Sequence, residues 1–215
     1  MLRTKIYAAE YEVDQRLLAF DTTRAELIEV VRTVLGERDN AIDVDPLGTP
    51  GQFSYIFGNR HLRFLYLPKG WGIDRTENIE SVLHPETGIK IIFQNVDQAC
   101  NPFEGPKKIS PVGPGNSRLI DRGQGSLFTE KEAPEAIPPE RIKSLNQSAW
   151  YFCVSFSESG VSAELSLPGP VAGKNFGAFI ERIFIVHGGD WGGIASSDIG
   201  GDSGPVNDLP SIARR

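Results

Sequence analysis

The stretch "FSYIFGNRHLRFLYLP", Phe53 to Pro68, decides how much of this 215-residue chain is sheet. Two apolar runs rich in strand formers flank Gly58-Asn59-Arg60, and that turn chemistry predicts a β-hairpin. Downstream, "IESVLHPETGIKIIFQNV" predicts a second hairpin turning at Pro85-Glu86-Thr87-Gly88. "SAWYFCVSFSESGVSAELSLP" predicts a third around Glu158-Ser159-Gly160, and "FGAFIERIFIVHGG" one more strand. Upstream, "TKIYAAEYEV", Thr4 to Val13, is rich in strand formers as well. "DTTRAELIEVVRTVLGERDN" breaks the pattern: Thr22 or Thr23 serves as an N-cap, Leu27, Val30, Val31 and Leu35 recur at helical spacing, and Gly36 is expected to end the helix. "AIDVDPLGTPGQ" reads as a loop.

These runs amount to about eight strands and one helix. The fold class is α+β, mostly antiparallel β-hairpins with one helix near the N-terminus. Residues 101–146 are different in kind, because Pro and Gly recur too often for a long helix or a central strand. They form a long Pro/Gly-rich excursion. The strands beyond it are too few to make a stable sheet alone, so they are expected to pair with those before it, giving a single domain over 1–215.

Bulk composition narrows the classes further. Hydrophobic residues make up 40% and charged residues 23%, which suits a globular chain large enough to bury a core without disulfide or metal support. Cys100 and Cys153 share no metal-ligand spacing and suit a reducing compartment. Glu10, Glu12 and Asp14 interrupt the place where a signal peptide needs an apolar run, and no stretch is long enough to span a bilayer, so a cytoplasmic location is expected. With net charge -6 and mixed signs along the chain, direct nucleic-acid binding is not predicted.

Several motifs bear on chemistry. "GDSGP", Gly201 to Pro205, resembles the segment carrying the nucleophilic serine of trypsin-like proteases. One glycine of that family's pattern is missing, and His61, His84 and His187 lack its histidine context, so a Gly/Asp/Ser loop is expected. Asp39, Asp43 and Asp45 could hold Mg²⁺ for phosphodiester cleavage if extended backbone placed Asp43 and Asp45 on one face. The second acidic motif of such nucleases is not matched, Glu86 and Lys90 having the wrong spacing. No Gly-rich stretch has the layout of a dinucleotide or P-loop site, and no cofactor is expected.

One partner motif remains. Gln124-Gly125-Ser126-Leu127-Phe128 resembles the short peptide by which bacterial polymerases and mismatch-repair proteins bind the DNA sliding clamp. That resemblance implies Gln124 as a polar hook and Leu127 and Phe128 as apolar anchors, with Gly125 standing where an apolar residue is usual. Folding back of Leu127 and Phe128 onto the protein's own sheet is the competing reading. The function expected from sequence is a non-enzymatic binding or adaptor protein, linked to replication, repair or mobile elements if the clamp peptide operates. The alternatives are a metal-dependent nuclease using Asp43 and Asp45, and an acidic inhibitor of a defence or nucleic-acid-binding protein.

Overall fold

A computed structural model of the chain describes residues 4–109, 149–158, 160–169 and 176–190. The elements run β1 (Lys5–Tyr7), α1 (Glu10–Leu17), α2 (Arg24–Asp39), α3 (Thr49–Tyr66), β2 (Gly72–Asp74), β3 (Ser81–Leu83), β4 (Lys90–Asn95), β5 (Ala149–Ser157), β6 (Gly160–Pro168) and β7 (Phe179–Val186). The strands form one seven-stranded sheet in the order β1-β7-β6-β5-β4-β3-β2. Strands from both sides of the excursion therefore share a sheet.

The α+β class holds, but the sheet is mixed rather than a set of hairpins. β1 lies parallel to β7 and β4 parallel to β5, while the other neighbours are antiparallel. A parallel pair cannot be joined by a tight turn, because the chain must travel back along the full strand length. That requirement gives the excursion between β4 and β5 a topological role.

The largest departure from the sequence reading is Phe53 to Pro68. Phe53 to Tyr66 belong to an 18-residue helix, α3, with Pro50 in its first turn, and Leu67 and Pro68 begin the 3₁₀ turn after it, so the segment is not a hairpin. Gly58 and Asn59 are helical for identifiable reasons. A Cβ on Gly58 would sit 2.5 Å from the ring of Phe93 on β4, so the glycine allows close approach of helix and sheet. The Asn59 amide donates to the Tyr55 carbonyl one turn back, at 2.9 Å. Thr4 to Val13 also divides, into the short strand β1 and the start of α1.

α2 begins where expected. The Thr23 hydroxyl accepts from the Glu26 N–H, and the Glu26 carboxylate accepts in turn from the Thr23 N–H, a complete capping box. Gly36 does not end it. The helix continues to Asp39 at the roughly 1 kcal/mol that a mid-helix glycine costs, and Arg38, beyond the glycine, lies 4.4 Å over the Phe156 ring.

Both faces of the sheet are covered. Trp150, Phe152 and Val154 of β5 point into a large apolar core with Leu17, Phe20, Leu27, Val31, Leu62 and Tyr66 from the helical layer. The alternate residues Tyr151 and Cys153 point the other way, into a smaller core with Val96, Cys100, Phe176 and Phe184. Alternation along one strand thus feeds two cores. Among the described residues, no helix is long and apolar enough to cross a membrane.

Candidate functional site

Two regions hold side chains whose placement a simple fold does not require. The first is the second face of the sheet, where polar groups are concentrated. Arg182 of β7 and Glu164 of β6 form a buried bidentate pair, with Nε 2.8 Å from Oε1 and Nη2 2.6 Å from Oε2. Ser166 donates to Glu164 Oε1 at 2.7 Å, and the Cys100 N–H donates to Oε2 at 2.5 Å. The third guanidinium nitrogen donates to the Asn101 carbonyl at 2.7 Å. Ser155 accepts from the Ala99 N–H at 3.0 Å.

This network ties Ala99, Cys100 and Asn101, where the excursion begins, down onto β5, β6 and β7. It satisfies every strong donor and acceptor of the pair, which is the condition for tolerating a buried charge. Nearby, Lys108 lies against the rings of Tyr151 and Phe176, with Nζ 4.9 and 5.0 Å from their centroids. Burial pushes its ammonium down to about 8, and the neighbouring Cys153 works weakly in the opposite direction. Burial pushes the thiols of Cys100 and Cys153 up, so both stay protonated and unreactive at neutral pH.

A cavity of about 450 Å³ opens beside this network, bordered by Thr4, Ile6, Phe103, Phe176, Phe179 and Arg182. Two of its polar side chains, Arg182 and Thr4, are committed within the fold, and Glu104 and Lys107 line it as well. Arg182 donates to Glu164 and Asn101, and Thr4 donates to the Phe179 carbonyl at 2.6 Å. The buried network anchors the loop to the sheet.

The second region is the outward face of α3. At 100° per residue, Phe53, Ile56, Phe57, Arg60, Phe64 and Leu67 fall within an arc of about 100°, opposite the buried Leu62 and Gly58. Phe64 is 63% and Ile56 48% exposed, and Phe53 and Phe57 are half-buried. The rings are ordered along the helix. Phe53 meets Phe57 edge-on at 6.3 Å, Arg60 lies 4.5 Å over Phe57, and His61 meets Phe64 at 5.3 Å. Among the described residues, no carboxylate pairs with Arg60.

The loop entering α3 carries further exposed apolar side chains. Ile42, Val44 and Leu47 are all exposed, Val44 to 86%, and Asp43 lies between the first two. The Asp45 carboxylate accepts from the Ile42 N–H at 2.9 Å and so closes a turn. Asp39 ends α2 and is exposed. Among the described residues, no three His, Cys, Asp or Glu side chains converge as a metal site would require.

The histidines have local explanations. His61, expected to begin a strand, is in α3, and its imidazole is pushed down by partial burial and by Arg60. His84 closes the β3–β4 turn, its Nδ1 accepting from the Glu86 and Thr87 N–H groups at 3.2 Å each. His187 follows β7 and stacks edge-on against Phe184. Trp71 and Trp150 are core residues, and the Trp71 indole donates to Asp21 at 3.0 Å. Gln124, Leu127 and Phe128 lie outside the described residues, as do Gly201 to Pro205 and Trp191.

Reading Phe53 to Pro68 as two strands hid the α3 face. The signal for it was present: the outward residues recur at intervals of three and four from Phe53 to Leu67, which is helical and not strand periodicity. No protein family matches the chain, and no curated protein or solved structure is detectably similar to it.

Proposed function

We propose that this chain is a non-enzymatic protein-binding protein that engages its partner through the outward face of α3 and the loop before it. The observation that carries the reading is the row of large apolar side chains, Phe53, Ile56, Phe57, Phe64 and Leu67, on the side of α3 away from the sheet. Side chains of that size normally pack against something, and among the described residues this side of the helix is open while the other lies on the sheet and α2. Each large apolar side chain left in water forgoes roughly 1.5–3 kcal/mol, which a docked partner would recover. Asp39, Asp43 and Asp45 beside Ile42, Val44 and Leu47 add negative charge at one end, in keeping with the net charge of -6.

A photo-crosslinking residue at position 64, incorporated in the host cell, tests the reading. It should yield a discrete adduct that the same residue at position 86, in the β3–β4 turn, does not. Absence of any adduct at 64 would defeat the proposal. The sliding clamp is a further proposed partner, supported by the motif at Gln124, Leu127 and Phe128. If so, Leu127→Ala with Phe128→Ala abolishes co-elution with purified clamp and leaves the melting temperature unchanged.

A further inference from the structure

We infer that the occupant of the α3 face is an amphipathic helix of a different protein, carrying a carboxylate in the middle of its apolar seam where it meets Arg60. The inference rests on the docking role proposed above and specifies the chemistry of the partner.

The α3 backbone spends its hydrogen bonds within the helix, so a partner cannot add to it as a strand adds to a sheet edge. Recognition must come from side chains. Phe53, Phe57, Arg60, Phe64 and Leu67 are spaced four, three, four and three residues apart, which is the alternation of a heptad seam. Such a seam presents ridges along about 20 Å of helix, and the surface that interdigitates with it is another helix crossing at a shallow angle.

The charge pattern says which helix. Arg60 is the only polar member of the seam and stands at its centre, two seam positions from either end. Its guanidinium already covers the Phe57 ring, so a partner laid over the seam would strip water from it. A desolvated guanidinium requires a carboxylate, preferably bidentate. A second copy of this chain paired seam to seam in register does not supply one. The seam is palindromic about Arg60, pairing position 53 with 67 and 57 with 64. Antiparallel pairing in register therefore sets Arg60 against Arg60, and parallel pairing in register does the same. Like charges facing each other without water oppose both. The partner is therefore a hetero-partner with Asp or Glu at one central seam position and Leu- or Ile-type residues at the others.

Two synthetic helical peptides test this. Both have Leu at the seam positions and differ only in carrying Glu or Lys at the central one. Each is titrated by fluorescence anisotropy against the full-length wild-type chain, Arg60→Glu and Phe64→Ser, with circular dichroism confirming that each variant is folded. Wild type should prefer the Glu peptide by about tenfold or more, Arg60→Glu should reverse the preference, and Phe64→Ser should weaken both. Equal affinity for the two peptides, or binding of neither, overturns the inference. A dimer in sedimentation velocity that Phe64→Ser dissolves would assign the face to a second copy and overturn it as well. The docking role itself fails separately, through loss of the adduct at position 64.

Discussion

Replacing Lys108 with Met probes the least comfortable group in the fold. Lys108 is 7% exposed, and its ammonium lies against two aromatic rings without a carboxylate partner among the described residues. Its proton affinity falls from 10.5 to about 8 on folding, chiefly through burial. At about 1.4 kcal/mol for each factor of ten, holding the cation inside costs about 3 kcal/mol at neutral pH. The two ring faces return about 1–2 kcal/mol of this as cation–π attraction. Methionine keeps the unbranched stem, makes sulfur–aromatic contacts in place of the cation and carries no charge. Lys108→Met should therefore stabilise the protein by about 1–2 kcal/mol at pH 7.

The pH dependence identifies the cause. Because Lys108 titrates lower in the folded chain than in the unfolded one, its cost is fully present below about pH 8. The cost fades as pH rises toward 10.5, where the unfolded chain also loses the proton. The advantage of the variant should shrink over that interval. Cys100 and Cys153 act oppositely on absolute stability, since their thiols stay protonated in the fold while those of the unfolded chain ionise near 9. That contribution is common to both proteins and cancels in their difference. Urea unfolding of the two proteins at pH 7, 8.5 and 10 measures it. A variant less stable at pH 7, or a difference that does not change with pH, would refute the reasoning.

Two further substitutions test the packing that positions the sites. Gly58→Ala places a methyl group where the Phe93 ring already lies, 2.5 Å away, and should cost about 1–3 kcal/mol by urea unfolding despite the better helix propensity of Ala. A neutral result would mean that α3 is not seated on β4 as described. Arg182→Met leaves Glu164 buried and unpaired and should cost about 3–5 kcal/mol, with much of the loss recovered in Arg182→Met/Glu164→Gln. Equal losses in the single and double variants would mean that the pair does not act as a unit.

How much could be read from sequence differed by element, for physical reasons. Local rules placed the start of α2, because a capping box needs only Thr23 and Glu26 three residues apart. They also placed the β3–β4 and β5–β6 hairpins, whose turns are short and chemically distinctive. The same rules failed at Gly58-Asn59, which imitates a turn. The glycine is there for contact with Phe93, 35 residues later in the chain, and no local pattern encodes that. Parallel pairing of β4 with β5 and β1 with β7 was likewise hidden, since it depends on partners far apart in sequence. The buried Glu164–Arg182 pair gave no sign because two charges 18 residues apart in alternating strands look solvent-facing until both faces of the sheet are seen to be covered.

Quantitative co-purification from the host tests most directly whether the open face of α3 is what this protein works with. Wild type and the double variant Ile56→Ser/Phe64→Ser are compared at matched expression. Both positions are exposed, so the two proteins should melt alike. A docking face predicts at least one abundant partner with wild type, depleted about tenfold or more in the double variant. The same partners at the same yield in both, with folding intact, would contradict it.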